Sequence, residues 1–396
     1  MGPQTMARGA TNGTAAEEIA AVPFVALDRQ HQSLGHELAS AFDRVVGRSS
    51  FVLGDEVASF EAEFASACGV GHCVGVASDT AALTVALTAA GVGRGDEDIV
   101  PAQISIASVL GVLHAGATPV LCDVEAHTGL IDAAAAAEVV TSRTAALIAV
   151  HLYGQACDMG PLWALASRHG LLVVEDAAHA HGATYRGRSV GSLGDVAAFS
   201  FYPTTNLGAL GDAGAVCTED PEIAQRARQL RNLGQRRSGE HVEVGFNARL
   251  DGVQAAFLRV KLPLLESANR SRREHAAAYR AGLDARRLLA ERDHTPCVYH
   301  AFPMRVARRA AAREHLGACG VRTGVHYPRP AHEHPALADA LLPSRAPLPE
   351  ASGWAREELS LPMFAELRPK EIESVLAACA QLPVDIDEPP SRTKES

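Results

Sequence analysis

The chain has 396 residues, of which 47% are apolar and 21% charged, and its formal net charge is −10. This balance is typical of a globular protein, and an acidic chain without a basic stripe is a poor partner for nucleic acid. No run approaches the roughly 18 consecutive apolar residues that a membrane helix needs, and residues 1–21 lack the basic start and apolar core of a secretion signal. We therefore expect a cytoplasmic protein with neither a nucleic-acid nor a membrane partner.

A chain of this length exceeds what one hydrophobic core usually fills, so it predicts a large domain and a smaller one. Residues 1–21 show no apolar periodicity and are predicted to form a flexible leader. We place the large domain at 22–262 and the small domain at 263–385. Residues 386–396 are predicted to be a flexible tail.

The eight cysteines are scattered along the chain. The closest pair, Cys68 and Cys73, has no histidine or further cysteine at metal-ligand spacing. We therefore expect reduced thiols and no metal site.

Strand-like apolar runs alternate with helical patterns through the first part of the chain, which favours an α/β fold with a doubly wound, mostly parallel sheet. The predicted strands are Cys73–Ala77, Asp98–Pro101, Pro119–Cys122, Ala145–His151 and Leu171–Glu175, and the helices between the first of them are Ala81–Ala90 and Ile106–Ala115. After residue 262 the pattern predicts a smaller α+β part with helices over Leu264–Leu283, Arg305–Gly320 and Pro369–Leu382.

Ligands of parallel sheets bind at the carboxyl ends of the strands. The residues that the sequence places at these ends are Ser78, Gln103, Ser105, Asp176 and His179. They are the first candidates for a site.

An ordered set of motifs covers about residues 22–382. The main ones are Gly95-Asp96-Glu97, Glu175-Asp176-Ala177-Ala178-His179, Gly191-Ser192-Leu193-Gly194-Asp195, Gly245-Phe246-Asn247-Ala248-Arg249 and His326-Tyr327-Pro328. Together they resemble the DegT/DnrJ/EryC1/StrS family, fold type I enzymes that use pyridoxal phosphate (PLP) and mostly aminate nucleotide-linked keto sugars. The resemblance implies an aminotransferase-like fold, a homodimer and a role in biosynthesis of small, secondary metabolites.

The resemblance also assigns roles to three residues. Asp176 falls where the family pairs an aspartate with the pyridinium nitrogen of the cofactor. Ser200 falls where a hydroxyl binds the cofactor phosphate. Asn247 resembles the asparagine that reaches the same phosphate from the partner subunit.

Three other positions depart from the family pattern. Thr205 falls where the family has its Schiff-base lysine, and a hydroxyl can neither form an imine nor shuttle the proton of transamination. Asp79 replaces a glycine at the helix that receives the phosphate, and a carboxylate there would repel it. Ser105 replaces the aromatic residue that stacks on the pyridine ring.

These departures predict that the chain binds no PLP and does not transaminate. We expect instead acid/base chemistry on a keto sugar or related metabolite, namely elimination, isomerisation or cyclisation. A histidine can act as the general acid or base of such a reaction near neutral pH. The predicted catalytic residues are His179, Asp176 and Thr205. The predicted pocket residues are Ser78, Asp79, Thr80, Gln103, Ser105, His181, Ser200, Asn206, Asn247 and His326.

Two alternatives remain open from the sequence. In the first alternative, the chain is a noncatalytic subunit that completes the site of an active paralogue. In the second, it is a sugar dehydratase or aminotransferase that binds PLP or pyridoxamine phosphate (PMP) noncovalently. Asp176, Ser200 and Asn247 would hold such a cofactor.

Overall fold

The computed structural model describes residues 21–383. The predicted leader and tail lie outside this range, apart from the single residue 21. Within it, no helix is long and apolar enough to cross a membrane. The eight cysteines are free, and all except Cys319 are buried.

A seven-stranded sheet forms the centre of the molecule, in the order β1-β9-β8-β5-β4-β2-β3. Its strands are β1 (His72–Val76), β2 (Glu97–Pro101), β3 (Thr118–Cys122), β4 (Thr144–Val150), β5 (Leu172–Asp176), β8 (Val196–Ser200) and β9 (Gly214–Thr218). Only β9 runs antiparallel to its neighbours in this sheet. The predicted doubly wound α/β class is therefore confirmed.

Short two-stranded ribbons lie outside this sheet. They are β6 (Thr184–Tyr185) with β7 (Arg188–Ser189), β10 (Gln235–Arg237) with β11 (Glu240–His241), and β12 (Phe302–Arg305) with β13 (Glu358–Leu361).

Helices cover the sheet because nearly every residue of its strands is buried and both faces need partners. Up to residue 261 the helices are α1 (Leu27–Ser33), α2 (Gly35–Arg48), α3 (Asp55–Cys68), α4 (Asp79–Ala89), α5 (Ile106–Ala115), α6 (Ala133–Glu138), α7 (Met159–His169), α8 (Pro221–Leu230) and α9 (Gly252–Lys261). The later helices are α10 (Leu265–Gly282), α11 (Arg309–Ala318), α12 (Pro349–Glu357) and α13 (Pro369–Ala380).

One prediction in the second half was wrong in its boundaries. The helix expected over Arg305–Gly320 begins only at Arg309, because Arg305 ends β12 and pairs with Glu358 of β13. The division at residue 262 stays a prediction, and the main cluster of buried apolar side chains includes residues from both sides of it.

Candidate active site

A cavity of about 380 Å³ opens at the carboxyl ends of the parallel strands. β5 ends at Asp176, β8 ends at Ser200, and the loop after β1 leads through Ser78 into α4. The cavity is lined by Ser78, Asp79, Thr80, Ser105, Ala107, Ser108, Val150, His151, Leu152, Asp176, Ala178, His179, Ser200, Tyr202, Thr204, Thr205, Asp212, Ala213, His300, His326 and Tyr327. Nine of the thirteen predicted site residues are thus brought together.

The N-terminus of α4 forms one wall of the cavity. Ser78 caps the helix, its hydroxyl accepting the backbone N–H of Ala81 at 3.2 Å. Ser200 accepts the N–H of Tyr202 at 3.3 Å in the same way. Each hydroxyl therefore keeps its own hydrogen for a ligand, beside a helix end that favours anions.

Asp79 is the first residue of α4, and its Oδ1 is buried without a hydrogen-bond partner. Burial raises the pKa of Asp79 well above its usual range, and the nearby Asp176 carboxyl raises that pKa further. The neutral, protonated form is favoured, because two neighbouring carboxylates in a poorly solvated site cannot both ionise without a large cost.

Asp176 lies at the floor of the cavity, with 3% of its surface exposed. Its Oδ2 accepts a hydrogen bond from the Ser108 hydroxyl at 2.6 Å, and its Oδ1 accepts the N–H of Ala178 at 3.2 Å. The pKa of Asp176 is raised above its usual range because burial outweighs these two hydrogen bonds and the nearby His151, which lower it. The partner of Asp176 is therefore Ser108, and His179 does not bond to it.

His179 has both ring nitrogens engaged by the protein. Its Nδ1 accepts the backbone N–H of Tyr153 at 3.3 Å, which places the proton on Nε2, and Nε2 lies 3.3 Å from the Tyr327 hydroxyl. Burial first, and then His326, lower the pKa of His179 to about 3. The side chain is a neutral imidazole that orients Tyr327. Its predicted catalytic role stays a prediction.

Three further histidines line the cavity, and two of them, His300 and His326, lie beside His179. Both ring nitrogens of the third, His151, are engaged, one by the Glu175 carboxylate and one by the backbone N–H of Cys157. The ring of His300 stacks on that of His179 with centroids 3.9 Å apart, and its Nδ1 is buried without a partner. His326 points its Nδ1 at the Ser360 hydroxyl, 2.9 Å away. Burial lowers the pKa of His326 to about 4.

Thr205 is buried in the cavity wall, where its hydroxyl lies 2.8 Å from the carbonyl of Tyr202 and 2.9 Å from that of Leu207. The chain has three lysines, at positions 261, 370 and 394. Lys261 donates to the Gly208 carbonyl outside the cavity, Lys370 is exposed on α13, and Lys394 is not among the described residues. No lysine lines the cavity within residues 21–383. That Thr205 occupies the place of the family lysine stays a prediction.

Four predicted residues lie outside the cavity. Gln103 is fully buried and donates to the Tyr327 carbonyl, and His181 is fully buried against the Ser200 carbonyl. Asn206 donates to Asn269 and to the Val298 carbonyl. Asn247 is exposed and accepts a hydrogen bond from Arg249.

Sequence analysis missed Ser108, His300 and Tyr327 as lining residues. Ser108 and Tyr327 had a usable signal: Ser108 lies in the first turn of α5, three residues after Ser105, and Tyr327 follows His326. His300 had none, because it lies in a loop whose approach to β5 depends on the tertiary fold. Ser105 caps α5 and brings no ring. The aromatic residues that line the cavity are His151, His179, His300, His326, Tyr202 and Tyr327.

Comparison with known proteins identifies the family. Residues 32–380 match the DegT/DnrJ/EryC1/StrS aminotransferase family. The chain belongs to this family. The resemblance inferred from the motifs is confirmed.

Curated relatives in this family cover nearly the whole chain. The dTDP-3-amino-3,4,6-trideoxy-alpha-D-glucose transaminase of Streptomyces venezuelae is 45% identical over 93% of this chain and 97% of its own length. The erythromycin biosynthesis sensory transduction protein EryC1 of Saccharopolyspora erythraea is 44% identical, with 90% and 98% covered.

Solved structures show the same fold. S. venezuelae DesV in complex with a ketimine intermediate has a TM-score of 0.88 at 45% identity, covering 91% of this chain and 97% of that chain. The Bacillus subtilis protein NtdA, solved with bound cofactor PMP, has a TM-score of 0.84 at 28% identity, covering 92% and 85%. The fold type I aminotransferase architecture is therefore confirmed.

Two predictions were wrong in the light of these relatives. The expected PLP-independent, non-transaminating chemistry disagrees with close relatives that are named sugar transaminases. The expected absence of a cofactor disagrees with the PMP-bound neighbour and the aminotransferase family. The physical error lay at Asp79: its raised pKa favours a neutral carboxyl, so the expected repulsion of a phosphate is largely removed.

Proposed function

We propose that this protein is a sugar-aminotransferase-family enzyme that binds PMP or PLP without a covalent bond and acts on a nucleotide-linked sugar. The observation that carries the proposal is the cavity itself, which retains a buried Asp176 and free hydroxyl donors but has no lysine among its described lining residues. The names of the relatives support a nucleotide-linked substrate.

The described residues fit a phosphorylated pyridine. Ser78 and Ser200 keep hydroxyl hydrogens for a phosphate at the N-terminus of α4, and the unpartnered Asp79 Oδ1 lies at the same helix end. Asp176 offers a carboxylate for a ring N–H, with Ser108 holding it in place. The cofactor supplies an electron sink and, as PMP, the amino group that a keto sugar accepts.

The chain itself contributes binding and orientation. An ionised Asp176 would accept a hydrogen bond from a protonated ring nitrogen and would keep that nitrogen charged. The hydroxyls of Ser78 and Ser200 and the dipole of α4 hold the phosphate. The neutral imidazole of His179 fixes the Tyr327 hydroxyl at the cavity wall.

Binding and turnover test the proposal together. We expect titration calorimetry with PMP to show saturable binding, and treatment of the PLP complex with borohydride to leave the protein mass unchanged after dialysis. Incubation with PMP and a dTDP-linked 3-keto sugar should give amino sugar, detected by mass spectrometry, in proportion to PMP. Absence of PMP binding, or a cofactor fixed by borohydride, would contradict the proposal.

A homodimer is part of the same proposal. Helix α2 packs against α9, and apolar side chains of α2 and of the segment after it are exposed, namely Phe42, Val46, Phe51 and Val52. Tyr202 lines the cavity and is exposed as well. A second copy would cover them. The exposed position of Asn247 outside its own cavity supports its expected role toward the partner subunit. The cytoplasmic location expected from the composition also stays a prediction.

A further inference from the structure

Strand β13 places two polar side chains behind one cavity histidine. Glu358 and Ser360 are two residues apart on β13, so they point to the same face of the strand. Both are fully buried. The segment that carries His326 lies along this strand, because Gly324 and Ser360 exchange backbone hydrogen bonds of 2.9 and 3.0 Å.

The approach of this segment depends on Gly324. A Cβ at this position would lie 2.4 Å from the nearest atom of the Phe24 ring, so only glycine fits. Phe24 in turn stacks on the His326 ring, with centroids 5.9 Å apart. The Tyr153 hydroxyl donates to the His326 carbonyl at 2.7 Å and fixes the backbone from the other side.

The hydrogen bonds behind His326 run in one direction. Glu358 Oε2 accepts the backbone N–H of His326 at 2.6 Å, and Glu358 Oε1 accepts the Ser360 hydroxyl at 2.5 Å. Burial raises the pKa of Glu358 to about 7, so above pH 7 its carboxylate accepts the only hydrogen of the Ser360 hydroxyl, and the Ser360 oxygen accepts the N–H of His326 Nδ1 at 2.9 Å. The proton of the neutral ring therefore lies on Nδ1.

The other ring nitrogen is free. His326 lines the cavity, and its Nε2 has no hydrogen-bond partner among residues 21–383. This nitrogen is also not one of the polar atoms in that range that are both buried and without a partner, so it is accessible from the cavity. Both nitrogens of His151 are engaged, as are both nitrogens of His179. No described hydrogen bond sets which nitrogen of His300 carries its proton. His326 is thus the histidine whose tautomer and orientation are fixed with a lone pair left for a ligand.

We propose that His326 is the proton acceptor and donor of this cavity, and that Ser360 and Glu358 are positioning residues that hold its proton on Nδ1. The role rests on the proposed function. Transfer of an amino group to a keto sugar would require a proton to leave the carbon that carries this group in the cofactor and a proton to reach the former carbonyl carbon of the sugar. Nε2 accepts the first proton and delivers it to the sugar carbon, so the imidazole is unchanged over the cycle. While Nε2 carries that proton, the Glu358 carboxylate offsets the positive charge through Ser360.

Nuclear magnetic resonance tests the tautomer without any turnover. In protein labelled with ¹⁵N-histidine at pH 8, we expect His326 Nδ1 to be protonated and Nε2 to be bare. Ser360→Ala should give a mixture of tautomers, and Ser360→Thr should restore the wild-type pattern. A proton on Nε2 in the wild type, or no change in Ser360→Ala, would overturn the proposal.

Turnover of a dTDP-linked 3-keto sugar with PMP tests the proton transfer. We expect His326→Gln to lower kcat by on the order of 100-fold or more, and Ser360→Ala by about tenfold with little change in KM. PMP binding by calorimetry should be kept within about twofold in both variants, which shows that they are folded. His114→Gln, an exposed histidine on α5, is the matched control.

Failure of the two ideas can be told apart. Wild-type protein that binds no PMP or converts no sugar contradicts the proposed function, while the resonance spectrum still decides the tautomer. A wild type that turns over sugar while His326→Gln does so at an equal rate contradicts only the role of His326.

Discussion

Thr205 is the residue through which attachment of the cofactor can be changed most directly. Its side chain lines the cavity, and its hydroxyl contacts only two backbone carbonyls. We expect Thr205→Lys to place an amine in the cavity, so that PLP becomes fixed to the protein by borohydride and its mass rises by one pyridoxyl phosphate. Loss of the two hydroxyl contacts should cost about 1–2 kcal/mol of stability.

Thr205→Met is the control for this change, because methionine has comparable length and no amine. It should leave PLP removable by dialysis after borohydride. Labelling of the wild-type protein would mean that another lysine reaches the bound PLP. A folded Thr205→Lys variant that remains unlabelled would mean that position 205 does not face the aldehyde of PLP.

Asp79 makes phosphate binding depend on pH. The folded protein favours the neutral carboxyl because the pKa of Asp79 is raised, so ionisation occurs only at higher pH than in a free aspartate. We expect the affinity of wild-type protein for PMP to fall by about tenfold or more as pH rises through that raised pKa, since 1.4 kcal/mol of repulsion is tenfold in affinity. Calorimetry across this range measures the loss.

Asp79→Asn should not show this loss, because its carboxamide does not ionise. Pyridoxamine lacks the phosphate, so its affinity should depend on pH in the same way for the wild type and the variant. Its binding therefore measures the part of the pH dependence that comes from titration of the pyridine ring. An identical pH dependence for PMP in the two proteins would rule out a neutral Asp79 in the cavity.

Strand β2 carries a buried carboxyl whose cost to the fold can be measured. Asp98 is fully buried, neither oxygen has a hydrogen-bond partner, and burial raises its pKa from 3.8 to about 7. A raised pKa means that the folded state binds the proton more tightly, so ionisation destabilises the fold above pH 7. The penalty disappears as pH falls from about 7 toward 4.

Asp98→Asn should therefore be more stable than wild type at pH 8.5, by at most about 4 kcal/mol, and nearly equal to it at pH 4. Chemical denaturation at the two pH values gives the difference. Asp43→Asn, an exposed aspartate on α2, should change stability little at either pH. If Asp98→Asn raised the free energy of unfolding equally at both pH values, ionisation of Asp98 would not be the cause of the stabilisation.

At the level of elements, local pattern was a good guide to the large sheet. Predicted strands such as Leu171–Glu175 differ from the observed Leu172–Asp176 by one residue, because nearly continuous apolar runs between turn residues have little choice of structure. The pattern failed at Arg305–Gly320. Arg305 extends β12 because it pairs with Glu358, a partner that no local signal identifies.

For the whole molecule, the surface near α2 predicts self-association. Phe42 and Phe51 are each about half exposed, at 49% and 51%. We expect wild-type protein to be dimeric by light scattering coupled to gel filtration. Phe42→Glu with Phe51→Glu should give monomers, since two charges would have to be buried in the interface.

Leu342→Glu is the matched control, because Leu342 is 43% exposed in a loop of the C-terminal part. It should leave the dimer intact. A monomeric wild type would contradict the homodimer, and a complex formed only with a lysine-bearing homologue would indicate a partner subunit instead. Dissociation by Leu342→Glu as well would place the interface elsewhere.

The sequence by itself determined the family, the α/β class and the strand ends at which the cavity lies, because periodicity and motifs are local and the carboxyl ends of parallel strands meet at one edge. It placed Asp176 at this edge, and the family resemblance assigned Ser200 and Thr205 to the same site. Side-chain direction was decided only by the tertiary structure: Gln103, His181 and Asn206 turn into the protein, whereas His300 and Tyr327 turn into the cavity.

Protonation was likewise decided by tertiary contacts. Asp79 favours its neutral form because the fold buries it beside Asp176, and His326 holds its proton on Nδ1 because Ser360 and Glu358 of a distant strand lie behind it. Charge and tautomer depend on solvent exclusion and on neighbours far apart in sequence. For this reason nine of the predicted site residues line one cavity, and yet the sequence gave the wrong prediction for the cofactor.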